Sequence, residues 1–282
     1  MIIGVDIGGT NLRAGIEMNG AIVQKAEVLL RDKDSLDATL AQLIHLIRPL
    51  AEGYPIEGIG VGVPSVVDVR QGIVYNAINI PSWERVELKA ILEKEFNVPV
   101  FVNNDVNCFT LGEHRYGLAR SYSSVVGMTI GTGLGSGIII NNQLYTGSNC
   151  GAGEIGMLPY LDRTLEFYAC SSFFESIHGI SAYEAGQLAA QGDRRGMRIW
   201  AEFGVHLGFV IKAVLYAYDP EIIILGGSIS KGYAYFHKAL FESLDDFAFP
   251  ESIKKLKFLP SLDENIALLG AAALVQPQAC RV

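Results

Sequence analysis

Residues 1–30 have the sequence MIIGVDIGGTNLRAGIEMNGAIVQKAEVLL, in which three apolar runs are separated by two short turns. Gly8-Gly9 stands in the first turn, and Asn19-Gly20 forms the second. An Asn-Gly pair between apolar runs is a strong short-range signal for a β-hairpin. The stretch therefore predicts three strands, over residues 2–6, 12–17 and 21–29.

The same order of elements returns in the middle of the chain. The predicted elements there are a strand (124–130), a glycine-rich turn (131–135) and two strands (136–141 and 143–145) joined by Asn141-Asn142. Helical patterns of apolar residues separate the strands elsewhere. The repeat predicts an α/β protein with a duplicated β-sheet core and a cleft between the copies.

Composition restricts the class of protein. Half of the 282 residues are hydrophobic and 18% are charged, which suits a large core and excludes a disordered chain. A net charge of −8 without a Lys/Arg run disfavours nucleic acid as a partner. No uninterrupted apolar stretch of membrane-spanning length and no signal peptide is recognised, so no membrane partner is expected. Four cysteines without a C-x-x-C pair predict free thiols in a cytoplasmic protein.

The first glycine-rich turn has the chemistry of a phosphate site. Gly8 and Gly9 allow backbone N–H groups to approach an anion closely, and Thr10 adds a hydroxyl donor. Asp6 stands at the preceding strand end, where a divalent cation could join its carboxylate to a phosphate.

Two later turns add to this signal. The turn at 131–135 has the same chemistry without the acid, and Gly226-Gly227 ends a later apolar strand on which a nucleoside could lie. The chain contains neither a P-loop motif nor a G-x-G-x-x-G fingerprint, which disfavours a Rossmann dehydrogenase.

Six motifs, in order along the chain, resemble those of one family. They are D-I-G-G-T-N at 6–11, G-V-P-S-V-V-D at 62–68, N-N-D-V-N at 103–107, G-T-G-L-G at 131–135, G-E-I-G at 153–156 and L-G-G-S at 225–228. The chain thus resembles, over nearly its whole length, the ROK family of bacterial sugar kinases and sugar-responsive repressors. The resemblance implies a two-lobed actin-like ATPase (ribonuclease H-like) fold with an interlobe cleft. We expect a small lobe over 1–116, onto which a C-terminal helix of about 265–282 packs, and a large lobe over 117–264.

The resemblance also implies where ligands bind. The first two glycine-rich turns would hold the phosphates of ATP, Gly226-Gly227 would border the adenosine, and Asp6 would reach Mg²⁺ through water. The implied nucleotide-binding residues are Asp6, Gly8, Gly9, Thr10, Asn11, Gly131, Thr132, Gly133, Gly226 and Gly227. The implied sugar-binding residues are Pro64, Asn79, Asn104, Asp105, Glu154 and Glu175.

Asp105 decides the mechanism. It follows a predicted strand and begins a predicted helix, so from position alone it is an N-cap. The resemblance makes it the general base that accepts the proton of the attacking sugar hydroxyl. From sequence alone Glu154 and Glu175 are solvated surface residues, and the resemblance makes both of them sugar contacts.

One segment departs from the family pattern. Many ROK proteins follow G-E-[LI]-G with a histidine and then carry C-x-C-G-x-x-G-C-x-E, whose three cysteines bind zinc together with that histidine. Here the four positions hold Met157, Glu166, Tyr168 and Phe173. We therefore expect no zinc and apolar packing in its place. The assignment of Glu175 depends on spacing within this altered segment.

The expected activity is transfer of the γ-phosphoryl group of Mg·ATP to a hydroxyl of a hexose, with O6 preferred, by a homodimer. The main alternative is a sugar-binding transcriptional regulator or sensor without turnover, which is disfavoured because the first motif begins at residue 6 and leaves no room for a winged helix-turn-helix. An acyl kinase is a third candidate. Glucose, an N-acylhexosamine such as N-acetylmannosamine, allose, fructose and a β-glucoside all stay open as acceptors. Polyphosphate stays open as a donor, although the Gly226-Gly227 turn favours a nucleotide.

Overall fold

The computed structural model describes residues 1–275. Within it the chain divides into two compact units. Unit 1 comprises Met1–Ser121, Gly137–Ala152 and the described residues from Leu262, and unit 2 comprises Tyr122–Ser136 and Gly153–Ser261. The lobe boundaries at 116/117 and 264/265 stay predictions, and residues 276–282 of the predicted terminal helix lie outside the described residues.

Strands and helices alternate along the chain. The strands, in order, are β1 (Ile2–Ile7), β2 (Asn11–Met18), β3 (Ala21–Leu29), β4 (Gly58–Val63), β5 (Val66–Asp68), β6 (Ile73–Tyr75), β7 (Arg85–Val86), β8 (Val100–Asn104), β9 (Val125–Ile130), β10 (Leu134–Ile140), β11 (Gln143–Tyr145), β12 (Pro159–Tyr160), β13 (Arg163–Thr164), β14 (Ile222–Gly226) and β15 (Lys257–Pro260). The α-helices are α1 (Leu36–Glu52), α2 (Leu88–Phe96), α3 (Asp105–Arg115), α4 (Leu165–Tyr168), α5 (Ala182–Ala190), α6 (Arg194–Tyr218), α7 (Tyr233–Glu242), α8 (Pro250–Lys255) and α9 (Ile266–Ala273). Short 3₁₀ helices span Ile155–Met157 and Ile229–Gly232, and a π-helical segment spans Phe173–Ile177.

Two five-stranded sheets share one plan. Their strand orders are β3-β2-β1-β4-β8 and β11-β10-β9-β14-β15. In each sheet a hairpin pairs two strands antiparallel, and two later strands add in parallel. The hairpins turn at Asn19-Gly20 and Asn141-Asn142, and all four residues have positive φ, as the tightest hairpin turns require. The duplicated β-sheet core that the sequence predicts is therefore confirmed.

Helix α9 packs directly on the backbones of β1 and β4. A Cβ at Gly4 would overlap the carbonyl oxygen of Leu268, and one at Gly60 would overlap that of Ala271. Glycine at these two positions therefore lets the helix approach the sheet. The contact fixes β1, which carries Asp6 next to its last residue.

Helix α6 is the central helix of unit 2. Phe203, Leu207 and Ile211 on it are fully buried and belong to one apolar cluster with Phe173 and Phe174. Within residues 1–275, α6 is the one helix long and apolar enough to cross a membrane, but 56% of its most apolar window is buried inside the structure. Packing in the core of unit 2 accounts for that composition.

Two regions for which the sequence predicts no helix or strand contain regular secondary structure. Residues 66–86 contain the three-stranded sheet β5-β6-β7, and residues 155–177 contain the β12–β13 hairpin, α4 and the π-helical segment. Strands of two or three residues are too short to show a period-2 pattern. Each region contains a predicted site residue. Asn79 lies in the first region and Glu175 in the second.

Candidate active site

The first glycine-rich turn connects β1 to β2 in unit 1. The Gly8 N–H donates to the Asn11 carbonyl oxygen (2.9 Å), which closes the turn. Gly9 lies against Asn79, because a Cβ on Gly9 would stand 2.9 Å from the Asn79 Cβ. A pocket of about 280 Å³ opens at this turn. The residues that line it are Asp6, Gly8, Gly9, Thr10, Asn11, Arg13 and Glu27.

Two cations lie beside this turn. Arg13 is paired with Asp6 directly across the β1–β2 ladder, and its Nε donates to Asp6 Oδ2 (3.0 Å). The Lys33 ammonium group donates to the Gly9 carbonyl oxygen. The sequence analysis missed both residues. The hairpin register could have placed Arg13 opposite Asp6, whereas no sequence signal indicates Lys33.

The sugar-binding residues predicted in unit 1 lie close together. Strands β4 and β8 are parallel neighbours, and Val63 is in register with Asn104. Beyond Val63, the Pro64 carbonyl oxygen accepts from the Ile78 N–H (3.0 Å), next to Asn79. The contact of Asn79 with Gly9 then joins this group to the first glycine-rich turn.

Asn104, rather than Asp105, caps helix α3. The Asn104 carboxamide oxygen accepts from the N–H groups of Val106 (2.9 Å) and Asn107 (3.2 Å). Asp105 is the first helical residue and is half-buried. The N-cap role that position alone suggests for Asp105 is therefore wrong, since the side chain before it makes the capping bonds.

Asp105 and Asp6 act on the same buried group. Burial raises the pKa of the Cys108 thiol well above its ordinary value, and the charges of Asp105 and Asp6 add to that shift. The two carboxylates therefore lie within electrostatic reach of one side chain. Gly62 lies against the start of α3, because a Cβ there would stand 3.3 Å from the Asp105 Cα.

The second glycine-rich turn, between β9 and β10, lies in unit 2. The Gly131 N–H donates to the Gly133 carbonyl oxygen (3.0 Å), and the Ser171 N–H donates to that of Gly131 (2.9 Å). The Leu134 N–H donates to a Glu166 carboxylate oxygen (2.9 Å). The N–H groups of Thr132 and Gly133 take no part in these bonds.

Gly226 and Gly227 lie beside this second turn. Gly227 has φ +84°, and a Cβ there would overlap the Ile130 carbonyl oxygen at the end of β9. A Cβ on Gly131 would lie 3.7 Å from the Ser228 hydroxyl. The structure thus brings together the nucleotide residues predicted in unit 2.

The two predicted sugar glutamates have different surroundings. Desolvation, together with the neighbouring Glu166 carboxylate, raises the pKa of Glu154 above its ordinary value. Glu175 is exposed in the π-helical segment, and its charge and that of Glu166 both act on the buried Cys170 thiol. Glu166 therefore lies near both glutamates and the second turn. The sequence analysis did not identify Glu166 as a site residue.

Aromatic rings fill the segment in which many relatives carry zinc ligands. The ring of Tyr168 lies 4.9 Å from that of His206, and Phe173 lies 5.4 Å from the same imidazole. Met157, in contrast, is 52% exposed. The expected apolar packing therefore involves two of the four substituted positions, those of Tyr168 and Phe173. Among residues 1–275 no group of three or more His, Cys, Asp or Glu side chains is arranged to hold a metal ion. The absence of zinc stays a prediction.

The side chains around the first turn fit Mg²⁺ and ATP. Mg²⁺ is usually bound by one or two carboxylates, with phosphate oxygens and water as its other ligands. Asp6, whose Oδ2 is paired with Arg13, would supply one carboxylate through its other oxygen, beside the Gly8-Gly9 backbone and the Thr10 hydroxyl. This donor set suits a cation that is bound mainly through phosphates.

Comparison with known proteins identifies the family of this chain. The model of the ROK family matches residues 2–278. The chain belongs to the ROK family. Among ROK proteins, a glucokinase of Thermotoga maritima is 27% identical to it, with 98% of this chain and 97% of the relative covered. A xylose repressor of Bacillus spizizenii is also 27% identical, with 97% of this chain and 76% of the repressor covered.

Solved structures show the same fold. A ROK family glucokinase from Streptomyces griseus, in complex with glucose and AMPPNP, has a TM-score of 0.82 and 26% identity, with 97% of this chain and 98% of that chain covered. This ROK protein accordingly has the actin-like ATPase fold of ROK sugar kinases, and its relatives include kinases that act on sugars.

Proposed function

We propose that this ROK protein is an ATP-dependent kinase that transfers the γ-phosphoryl group of Mg·ATP to a hexose hydroxyl, with O6 as the acceptor atom. The observation that carries the proposal is the position of Asp105. It is half-buried at the start of α3, next to Asn104, and shares the Cys108 neighbourhood with Asp6 of the first glycine-rich turn. A carboxylate near a phosphate turn has the position that a general base for phosphoryl transfer needs.

The residues would act mainly by positioning. Asn104 and Asn79 would hydrogen-bond sugar hydroxyls, and Glu154 and Glu175 would accept hydrogen bonds from sugar hydroxyls. Asp105 would accept the proton of the attacking hydroxyl as its oxygen bonds to the γ-phosphorus and ADP leaves.

The glycine-rich turns would hold the phosphates. Backbone N–H groups of Gly9 and Thr132, with Lys33 beside the first turn, would balance the charge of the transferred group. Mg²⁺, when bound near Asp6, would neutralise phosphate charge. Transfer needs the hydroxyl and the γ-phosphorus to be in line, so these contacts contribute chiefly by orientation.

The test is ADP release with Mg·ATP and a panel of hexoses, for wild type, Asp105→Asn and Asp37→Asn. Both aspartates stand in the first turn of a helix, so both substitutions remove an acidic residue from a helix N-terminus. We expect Asp105→Asn to lower turnover by roughly 10²–10⁴-fold with the sugar Kd little changed, and Asp37→Asn to keep wild-type turnover. Equal turnover in Asp105→Asn and wild type would refute the assignment of the base.

A second candidate function is sugar sensing without turnover. It is favoured by the similarity to the xylose repressor, which extends over 97% of this chain. For a sensor, sugar would bind to the wild type, and no hexose would raise ADP release above the sugar-free rate. The same panel therefore separates the two candidates.

A further inference from the structure

Cys150 has an unusual backbone conformation for its side chain. Its φ is +58°, in the left-handed region, which disfavours residues with a Cβ. Among described residues other than glycine, positive φ is found mainly at Asn and Asp, which tolerate it best. Strain of this kind persists when surrounding contacts hold the residue in place.

The Cys150 thiol makes two contacts of this kind. Cys150 is 4% exposed, and its Sγ donates to the Asn103 carboxamide oxygen (3.2 Å). The Asn107 amide nitrogen donates both to the Cys150 Sγ (3.5 Å) and to the same Asn103 oxygen (3.0 Å). Asn103 and Asn107 are 3% and 2% exposed. The three side chains thus form a buried polar network within unit 1.

This network reaches the helix start that carries Asp105. The Asn103 carboxamide oxygen also accepts from the Asn104 N–H (2.8 Å), so one oxygen receives three hydrogen bonds. Asn103 lies at the end of β8, and Asn107 lies in the first turn of α3. Hydrogen bonds between buried side chains hold their members in one arrangement, although the buried Asn107 carboxamide oxygen itself accepts no hydrogen bond within residues 1–275. The strand end and the helix start are therefore tied together on both sides of Asp105.

We propose that Cys150 is a positioning residue for the reaction. Its thiol orients Asn103 and Asn107, and these two residues hold the Asn104-Asp105 backbone so that the Asp105 carboxylate faces the acceptor hydroxyl. The proposal rests on the proposed function, in which Asp105 is the base. It assigns no substrate contact to Cys150.

Three substitutions at position 150 separate positioning from a purely structural role. Cys150→Ser keeps a hydrogen-bond donor, Cys150→Ala removes it, and Cys150→Gly removes it while relieving the strain at φ +58°. We expect kcat in Cys150→Ala to fall about tenfold, the effect of one lost hydrogen bond, with KM for sugar and ATP unchanged. Cys150→Ser restores most of kcat. Cys150→Gly loses as much kcat as Cys150→Ala, although the thermal midpoint of Cys150→Gly is higher than that of Cys150→Ala.

The outcomes are distinct. Wild-type kcat in both Cys150→Ala and Cys150→Gly overturns the proposal, as does a kcat that follows the thermal midpoint across the three variants. If Cys150→Ala is insoluble, Asn107→Ala removes the link from the helix side and has to show the same loss of kcat at constant KM. A wild type with no turnover on any hexose overturns the proposed function itself, and with it this role of Cys150.

Discussion

The turn between β1 and β2 and the turn between β9 and β10 stand at equivalent places in two sheets of the same strand order, yet different side chains support them. The first has two cations beside it, with Arg13 on Asp6 and Lys33 on the Gly9 carbonyl oxygen. The second is held by the Glu166 carboxylate and by Ser171. The fold thus repeats the backbone of the turn without repeating its charge. The part that each turn takes in phosphate binding therefore depends on its neighbours as well as on its glycines.

Among changes in nucleotide affinity, the largest is expected where the second turn meets Gly227. Gly227→Ala places a Cβ at φ +84° against the Ile130 carbonyl oxygen, so the backbone has to move. Strain and overlap of this kind cost roughly 1–3 kcal/mol, and we expect the Kd for Mg·AMPPNP to rise at least about tenfold, with a lower thermal midpoint. Calorimetric titration measures the Kd.

Gly131→Ala is the matched control for that substitution. Its Cβ would lie 3.7 Å from the Ser228 hydroxyl, an ordinary contact, so nucleotide affinity should change less than about threefold. Similar losses in the two variants would show that the turn tolerates no side chain at all, contrary to this account.

A smaller effect is expected at the first turn. Lys33→Met keeps the length of the side chain and removes its charge, and we expect the Kd for Mg·AMPPNP to rise about tenfold because one charged contact near the phosphates is lost. Lys33→Arg should retain most of the affinity. Lys25→Met on exposed β3 serves as the control and should leave the Kd unchanged. A Kd in Lys33→Met equal to that of the wild type would show that Lys33 does not contribute to nucleotide affinity, and that the contribution of this turn comes from Gly8, Gly9 and Thr10.

The smallest effect concerns pH and Glu154. Its raised pKa means that this carboxyl takes up a proton at a higher pH than an ordinary glutamate, so an accepted sugar hydroxyl bond is lost early as the pH falls. We expect KM for the sugar to rise several-fold as the pH falls toward the ordinary glutamate pKa of about 4.3, with the rise beginning above that pH. Glu166→Gln removes a repelling charge and should move this rise to lower pH. An unchanged profile in Glu154→Gln would contradict the role of the carboxylate.

The elements that the sequence predicts well are long and strongly patterned. The sequence pattern predicts helices over 88–96 and 194–218 and a strand over 21–29. These bounds agree with those of α2, α6 and β3, because apolar spacing over nine or more residues specifies the element. The sheet β5-β6-β7 was missed since its strands have three residues or fewer, and their pairing depends on tertiary contacts.

In the candidate site, sequence motifs indicated some residues, whereas the residues that support the turns were not predicted. Asp6, Asn104 and Asp105 stand within recognisable runs. Lys33 and Glu166, in contrast, act through single hydrogen bonds to the backbone of turns that are distant in sequence. No local pattern records such a bond, so only the folded chain indicates them.

The most direct test of the account follows the phosphorus itself. Wild-type protein is incubated with Mg·ATP and each hexose, and phosphorus NMR records the products. If the protein is a hexose kinase, then with at least one hexose the γ-phosphate signal is replaced by that of a sugar phosphomonoester, in an amount equal to the ADP formed. Binding of both sugar and nucleotide without any phosphomonoester would contradict the account.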